Sequence, residues 1–229
     1  MRRYFVTGTD TDAGKTLVTT ALLARARRQG LSTLGLKPVA AGCEHTRDGL
    51  RNADALALQT FSYPEVGYAV VNPIALEPPI APHIAAARAN WTVHLMHLHD
   101  RVTAAMHEPR DLTLIEGAGG WRVPLNDTED LSGLAIRLDL PVILVVGLRL
   151  GCINHARLSL EAIRADGLRV AGWVASQVDP DIAEAEANLA TLRAHLTAPC
   201  LGVIPWLGDD DDNRVLAERA ADYLELPSD

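Results

Sequence analysis

Residues 8–16 read GTDTDAGKT and bring two glycines, a lysine and three threonines into one short segment. A β-branched run precedes the segment and a helical pattern follows it, which is the strand–loop–helix setting of a phosphate-binding loop. Backbone N–H groups of such a loop attract the β-phosphate of a nucleotide. Gly14 would let the backbone approach the phosphates, Lys15 would reach the β- and γ-phosphates, and Thr16 would offer its hydroxyl to Mg²⁺.

The spacing of the glycines departs from the usual pattern, in which about four residues separate them. Gly8 and Gly14 are separated by five residues, and Thr9 stands at the position of the first glycine. The prediction of a phosphate loop therefore depends on the Gly-Lys-Thr triplet at the junction of strand and helix.

Two carboxylates are candidates for the metal that accompanies a triphosphate. Glu116 ends the apolar run 112–115 and is followed by the glycine-rich residues 117–120. An acid at the carboxyl end of a core strand is a natural Mg²⁺ ligand beside a phosphate loop, although a capping or solvated acid fits the same position. Asp54 lies near the start of a predicted helix, and by itself it is equally explained as an acid that complements the helix dipole.

Lys37 closes an apolar run and precedes Pro38. At the carboxyl end of a strand, a lysine can reach a transferred phosphoryl group. It can equally extend from the strand end into solvent along its aliphatic stem. The sequence pattern leaves both interpretations open.

Short apolar runs alternate with helical patterns along the whole chain. Strands are predicted at 4–9, 33–39, 112–116, 142–147, 170–176 and 201–204. Helices are predicted at 15–29, 52–60, 92–107, 128–138, 153–166, 181–197 and 213–224. This alternation predicts an α/β fold of the P-loop nucleoside triphosphate hydrolase type, with a mostly parallel central sheet covered by helices on both faces. We expect one domain over residues 1–229, with the proline-rich stretch 72–82 as one ordered loop.

Composition narrows the class of partner and the compartment. The net charge of −8 argues against nucleic acid and against an anionic membrane surface. The three cysteines are far apart, which favours a reducing compartment without disulfides. The N-terminus lacks the apolar stretch of a signal peptide, and the longest apolar run is too short to cross a bilayer. A cytoplasmic protein is expected.

Four stretches together resemble the dethiobiotin synthetase family. They are GTDTDAGKT at 8–16, LKPVAAG at 36–42 with LRNADALAL at 50–58, IEGAGGW at 115–121, and PVILVVGLRLGCINHA at 141–156. AGWVAS at 171–176 and GVIPWL at 202–207 also fit, so the likeness covers nearly the whole chain. It implies a homodimeric enzyme that uses ATP and Mg²⁺ to close a cyclic urea from 7,8-diaminopelargonic acid and CO₂, with each substrate site completed across the dimer interface.

The resemblance also implies roles for individual residues. Thr11, Lys15 and Lys37 correspond to groups around the carbamate and the γ-phosphate, and Lys37 matches the active-site lysine of the family. The implied Mg²⁺ ligands are Thr16, Asp54 and Glu116. The implied nucleotide contacts are these ligands together with Asp12, Ala13, Gly14, Lys15, Leu17, Gly117, Ala118, Gly119, Ser176, Gln177, Pro205, Trp206 and Leu207. Apart from the resemblance, Asp212 in the acidic run before the last helix is a candidate contact of the ribose. The implied substrate contacts are Ala41 and, for the carboxylate across the interface, Gly151, Cys152, Ile153 and Asn154.

The chain departs from the family pattern at functional positions. Ala41 replaces a serine that touches the substrate in many relatives, which would remove one hydrogen bond. Ser176 and Gln177 stand where relatives often carry Asn-Asp beside the base. A serine hydroxyl cannot make both hydrogen bonds of an asparagine amide. Our hypothesis is that base selectivity is relaxed, so that CTP or GTP can substitute for ATP.

Other P-loop functions share part of this pattern. A small-molecule kinase or ligase would have the same loop and metal ligands, but a kinase should add an arginine-rich lid, and no such segment is evident. A non-biosynthetic ATPase switch of the positioning type would carry a further lysine early in the loop, and this loop has none. The acidic run at 209–212 is interpreted as a solvated turn before the last helix.

Overall fold

The computed structural model of the chain describes residues 1–208 and 212–228. The described residues form strands β1 (Arg2–Gly8), β2 (Thr33–Leu36), β3 (Val39–Ala41), β4 (Glu44–Thr46), β5 (Gly49–Arg51), β6 (Ile74–Leu76), β7 (Leu112–Glu116), β8 (Val142–Leu148), β9 (Val170–Gln177) and β10 (Cys200–Ile204). Residues 209–211, which hold most of the predicted acidic turn, lie outside the described part of the chain.

Helices alternate with these strands. They are α1 (Lys15–Arg28), α2 (Ala53–Thr60), α3 (Tyr68–Val71), α4 (Pro82–Arg88), α5 (Leu95–Ala105), α6 (Ser132–Arg137), α7 (Cys152–Ala165), α8 (Ala185–His195) and α9 (Asn213–Ala220), with a 3₁₀ turn at Ala221–Tyr223. Within the described ranges, no helix has both the length and the apolar character needed to cross a membrane.

One parallel sheet organises the fold. Its strand order is β10-β9-β8-β1-β7-β2, and every neighbouring pair is parallel. Two short sheets accompany it, one formed by β3 with β6 and one by the antiparallel pair β4 and β5. The predicted α/β fold with a central parallel sheet is confirmed.

Hydrophobic cores cover both faces of the sheet because successive side chains of a strand point to opposite faces. In β1, Phe5 contributes to one core, and Tyr4 and Val6 contribute to the other. The Phe5 core also contains buried residues of α4, α5, α6, α7 and α8, whereas α1, α2 and α9 pack on the opposite core. The helices therefore fix the sheet from both sides.

The carboxyl ends of all six strands lie along one edge of the sheet. This edge receives the residues that follow each strand, including the phosphate loop after β1 and the residues Lys37, Glu116 and Ser176. Ligands of open parallel α/β sheets bind beyond this edge. The strand order places β1 between β8 and β7, so the phosphate loop lies at the middle of the edge.

The predicted strand at 33–39 is wrong in one respect, because the structure divides it. β2 ends at Leu36, and β3 begins at Val39 in a different sheet. Pro38 has no N–H to donate to a neighbouring strand. The backbone of Lys37 bonds outside the central sheet, since its N–H donates to the Val71 carbonyl at 2.8 Å and its carbonyl accepts from Asn72 Nδ2 at 2.7 Å.

Several predicted helices are shorter than expected. The helices predicted at 92–107, 128–138 and 181–197 correspond to the shorter α5, α6 and α8. The helix predicted at 213–224 is α-helical as far as Ala220 and ends in a 3₁₀ turn. Before α6, Asn126 Oδ1 accepts the backbone N–H groups of Thr128 and Glu129, each at 3.0 Å. A side chain that bonds nearby backbone competes with helix formation in this way.

The prediction of a single loop at 72–82 is also wrong. β6 lies within this stretch, and α4 begins at its last residue, Pro82. Proline suits the first turn of a helix because its fixed φ is helical and its missing N–H is not needed there. The prolines therefore delimit short elements in this stretch.

Candidate functional site

The phosphate loop connects β1 to α1 through Gly14, whose φ of +87° lies in the left-handed region. A Cβ added at Gly14 would lie 2.5 Å from Oγ of the buried Ser176. Both the backbone conformation and this contact therefore require glycine. The N–H groups in the first turn of a helix have no partner within the helix. Gly14 has no side chain to cap them, so they are available to an anion.

Hydrogen bonds hold the loop against β8 and the residue that follows it, Arg149. The N–H of Thr9 donates to the Val145 carbonyl at 2.9 Å, and Arg149 Nη2 donates to the Thr11 carbonyl at 2.8 Å. A Cβ added at Gly147 would lie 2.9 Å from Cα of Ala13, so the glycine lets the loop approach the strand. The Ala13 side chain is fully buried there, which excludes it from direct contact with a nucleotide.

Lys15 extends from the first residue of α1 and is buried. Its Nζ donates to the Asp10 carbonyl at 2.9 Å, so the ammonium lies over the loop that it follows. Burial is the main cause that lowers the pKa of Lys15, and the charge of Lys37 is the second. Together they outweigh the carboxylates Glu116 and Asp54, which raise this pKa.

A second lysine joins two carboxylates at the edge of the sheet. Lys37 Nζ donates to Glu116 Oε1 at 2.6 Å, to Asp54 Oδ2 at 3.1 Å and to the Gly117 carbonyl at 3.2 Å. Thr16 Oγ1 donates to the same Glu116 Oε1 at 2.8 Å. Lys37 is 5% exposed and Glu116 is 0% exposed. Of the two interpretations that the sequence allowed for Lys37, the one in which its side chain extends into solvent is therefore wrong. These residues form one group, which we call the lysine–carboxylate cluster: Thr16, Lys37, Asp54 and Glu116.

The charges of the cluster stabilise one another. Burial alone would lower the pKa of Lys37, but the charges and hydrogen bonds of Glu116 and Asp54 outweigh burial and raise that pKa. Burial alone would raise the pKa of Asp54, but the charge and hydrogen bond of Lys37, together with Thr16, lower it. Lys37 is therefore an ammonium and Asp54 a carboxylate at neutral pH.

The cluster also fits a divalent cation. Glu116 Oε2 is buried and has no hydrogen-bond partner, although Oε1 accepts from Lys37 and Thr16. A buried carboxylate oxygen without a partner is costly unless a donor or a cation satisfies it. Two carboxylates and a hydroxyl are the hard oxygen ligands that Mg²⁺ prefers. Thr16, Asp54 and Glu116 are thus a suitable ligand set.

A cleft of about 1190 Å³ lies over the loop and the cluster. The predicted site residues in its lining are Thr11, Asp12, Gly14, Lys15, Thr16, Leu17, Lys37, Ala41, Asp54, Ala118 and Gly119. Glu116 and Gly117 lie directly behind this lining, where they accept hydrogen bonds from Lys37. One half of the cleft therefore brings the two lysines and the free N–H groups of α1 together with carboxylates that can hold a cation.

The other half of the cleft is lined by residues that are not among the predicted site residues. They are residues 79–82, residues 121–124, and His155, Leu158, Ser159 and Ala162 of α7. The α7 residues recur at the spacing of one helical face, a pattern visible in the sequence. The 79–82 wall was not identifiable, because its position depends on where β3 and β6 pair.

Ser176 and Gln177 do not line the cleft among the described residues. Ser176 is 2% exposed and lies beneath the phosphate loop, adjacent to Gly14. Gln177 donates from Nε2 to the carbonyls of Asp179 and Pro180, each at 3.4 Å. Val178, the next residue, does line the cleft.

The remaining predicted residues lie apart from the cleft lining. Pro205, Trp206 and Leu207 follow β10 along the same sheet edge, and Trp206 is 40% exposed. Asp212 caps α9 by accepting from the N–H of Arg214 at 2.8 Å.

The predicted carboxylate-binding residues lie at the start of α7. Gly151, Ile153 and Asn154 line a second depression with Leu150, which is 95% exposed, and Leu158 lines both this depression and the cleft. The Cys152 side chain is buried in the core, so it offers no side-chain contact to a substrate. Within one chain these residues do not face the cleft.

Comparisons with known proteins match nearly the whole chain. A family model described as an AAA domain matches residues 2–214. An ATP-dependent dethiobiotin synthetase of Chromohalobacter salexigens is 62% identical over 237 residues and covers 100% of both chains. One of Cellvibrio japonicus is 56% identical over 225 residues, 98% of this chain and 96% of the relative.

A solved structure shares the fold. The MinC:MinD cell division protein complex of Aquifex aeolicus aligns with a TM-score of 0.56 at 13% identity, and the alignment covers 99% of this chain and 87% of that chain. At this identity, the likeness supports the P-loop fold of the chain and no further property.

Gly14→Ala should weaken nucleotide binding by roughly tenfold or more, because the free loop can relieve the strain of alanine in the left-handed region, about 1–2 kcal/mol, only by leaving the conformation that binds phosphate. Isothermal titration with Mg-ATP measures the change. Adding Ser176→Gly should recover part of the loss, since it removes the Ser176 atoms nearest the new Cβ.

Gly30→Ala is the matched control, because Gly30 also has a positive φ of +77° but no atom within 4 Å of an added Cβ. It should lower stability without changing nucleotide affinity. Equal nucleotide affinity in Gly14→Ala and the wild type would contradict the assigned role of the loop.

Proposed function

Since the chain belongs to the family of ATP-dependent dethiobiotin synthetases, we propose that it closes the cyclic urea of dethiobiotin from 7,8-diaminopelargonic acid and CO₂. It is an ATP-dependent cyclo-ligase that forms carbon–nitrogen bonds. The observation that carries the proposal is the lysine–carboxylate cluster, which places a buried ammonium beside the phosphate loop and at the floor of the cleft.

The reaction proceeds in three bond-forming steps. One amine of the substrate attacks CO₂ and loses a proton, which gives a carbamate. A carbamate oxygen attacks the γ-phosphorus of ATP, and ADP leaves. The second amine then attacks the carbonyl carbon of the mixed anhydride, loses a proton and expels phosphate, which closes the ring. Each step develops or moves negative charge, so positioned cations and dipoles provide the catalysis.

The residues of the cleft suit these steps. The start of α1 and residues Asp12 to Leu17 hold the phosphates of the nucleotide. Lys15 and Lys37 carry the two cationic groups nearest the γ-phosphate and the carbamate, with Thr11 as a further donor. Lys37 stays protonated through its carboxylate partners, so it acts by electrostatic stabilisation.

Thr16, Asp54 and Glu116 hold Mg²⁺ in this proposal. The unpartnered Oε2 of Glu116 supports the assignment. When bound, Mg²⁺ neutralises charge on the β- and γ-phosphates. Lys37 and Thr16 share Glu116 Oε1, so both side chains retain positions beside the phosphates.

The first test is fixation of labelled bicarbonate into an acid-stable product by the purified chain. We expect fixation only with 7,8-diaminopelargonic acid, ATP and Mg²⁺ together. Lys37→Ala should lower the rate by at least about 100-fold, because it removes a preorganised cation from the reacting groups. No fixation by the wild type, with ATP hydrolysis retained, would favour a kinase or an ATPase switch instead.

We propose that the enzyme is a homodimer in which Gly151 to Asn154 of one subunit meet the substrate bound to the other. Their separation from the cleft within one chain supports this, as does the exposure of Leu150 beside them. Backbone N–H groups at the start of α7 would receive the carboxylate of the substrate.

Sedimentation equilibrium should therefore give twice the 24.6 kDa of one chain. Leu150→Asp should shift the protein toward monomer and reduce fixation, because a charge would be buried in the interface. Met96→Asp replaces another exposed apolar side chain, on α5, and should leave the mass unchanged. A fully active monomer would overturn the shared site.

We further propose that the enzyme accepts CTP and GTP in addition to ATP. Ser176 lies beneath the phosphate loop and Gln177 bonds to backbone carbonyls, so neither side chain is arranged to read an adenine edge. Pro205, Trp206, Leu207 and Asp212 follow on the same sheet edge and are proposed to surround the nucleoside.

Turnover with ATP, CTP and GTP at equal concentrations tests this proposal. We expect kcat/KM values within about tenfold of one another, because one neutral hydrogen bond is worth about 1 kcal/mol. A preference for ATP above about 100-fold would show that other residues read the base.

We also propose a cytoplasmic location. The cysteines Cys43, Cys152 and Cys200 are all free, as a reducing compartment would maintain them. Cell fractionation with an antibody against the chain checks this assignment, and recovery in a secreted fraction would contradict it.

A further inference from the structure

The segment between β7 and α6 forms one wall of the cleft without belonging to a helix or a central strand. Trp121 and Arg122 lie in this wall, directly after the glycines that adjoin the phosphate loop. Both side chains bond to one carboxylate. Trp121 Nε1 donates to Asp166 Oδ2 at 2.7 Å, and Arg122 Nη2 donates to Asp166 Oδ1 at 2.8 Å.

Asp166 belongs to a different element, because it is the C-terminal cap of α7. Its side chain is 16% exposed, and each of its oxygens accepts one of these bonds. Charge-assisted bonds of this length are stronger than neutral ones. The Asp166 carboxylate thus connects two parts of the cleft lining. One part is the segment that holds Trp121 and Arg122, and the other is α7, which contributes His155 and Ser159.

Asp166 is an acidic residue at the C-terminal end of a helix, where acidic residues are disfavoured. A negative charge at the C-terminal end of a helix opposes the helix dipole. A residue that breaks a local rule is expected to be compensated elsewhere in the structure, often at a functional site. Here the compensation is the pair of bonds to Trp121 and Arg122.

The contact continues through packing to β1 and to the glycine-rich segment after β7. The ring of Trp121 is buried and meets Phe5 of β1 edge to face, with the centroids 6.1 Å apart. A Cβ added at Gly117 would lie 3.1 Å from the same Phe5 ring. Phe5 therefore supports both the start of the glycine-rich segment and the tryptophan that Asp166 orients.

We propose that Asp166 is a positioning residue for the amine substrate, through the bonds that fix Trp121 and Arg122 in the cleft wall. The inference rests on the proposed function, since it assigns the half of the cleft away from the phosphates to the aliphatic diamine. The phosphate half is built by residues 9–17, which bond to β8, Arg149 and Glu116 and make no hydrogen bond to Asp166. Nucleotide binding is therefore independent of Asp166.

Steady-state kinetics of bicarbonate fixation test the proposal. Asp166→Ala should raise the KM for 7,8-diaminopelargonic acid about tenfold, and the KM for ATP should stay within about twofold. Trp121→Phe keeps an aromatic ring near Phe5 but removes the N–H donor together with part of the indole, so it should raise the same KM by part of this factor. The double variant should equal Asp166→Ala, because both changes break one shared bond.

Arg164→Ala is the matched control. Arg164 lies in the last turn of the same helix and bonds to Thr197, away from the cleft. It should leave both KM values unchanged. Thermal unfolding of each variant accompanies the kinetics, because loss of folded enzyme lowers the apparent kcat but leaves KM unchanged.

The outcomes separate the two proposals. No fixation by the wild type would overturn the proposed function and this inference with it. Fixation by the wild type with an unchanged amine KM in Asp166→Ala, or with the two KM values raised equally, would overturn the inference alone. Additive effects of Asp166→Ala and Trp121→Phe would show that the two residues do not act through their bond.

Discussion

The buried ion pair between Lys37 and Glu116 is the interaction on which the site depends. Two charges withdrawn from water are tolerated only when hydrogen bonds satisfy the rest of each group, and removal of one partner leaves an uncompensated charge. Lys37 meets this condition with Asp54 and the Gly117 carbonyl, and Glu116 meets part of it with Thr16. The oxygen of Glu116 that stays unpartnered is the point at which the cluster is open to a cation.

The parallel sheet makes this cluster possible. Glu116 ends β7, Lys37 follows β2, and Thr16 begins the helix after β1. β1, β7 and β2 are consecutive neighbours in the sheet, so the three side chains start from the same edge. Asp54 reaches the cluster from the first turn of α2. In that position it complements both the dipole of its own helix and the charge of Lys37.

Close approach of backbone segments shapes the rest of the cleft. Gly14 lies against Ser176, Gly147 against Ala13, and Gly117 against Phe5. At each point a Cβ would meet another atom at 3.1 Å or less, so glycine sets the distance between a loop and the strand beside it. The half of the cleft away from the phosphate loop is built differently. It is formed by one face of α7 and by residues 79–82 and 121–124. This division matches a nucleotide, whose phosphates bond to backbone, and an aliphatic substrate, which packs against side chains.

The sequence by itself determined the fold class, the phosphate loop and the family, because these depend on local periodicity and on residue types at fixed spacing. It left the roles of Lys37 and Asp54 open, since a lysine or an acid at the end of an element has the same local pattern whether it is buried or solvated. Only the tertiary structure decided that Lys37 is buried between two carboxylates, that Pro38 moves the chain into a second sheet, and that Asp166 reaches Trp121. Each of these contacts joins residues that are far apart in sequence. Strand order and packing bring them together in space, and no local sequence pattern encodes either.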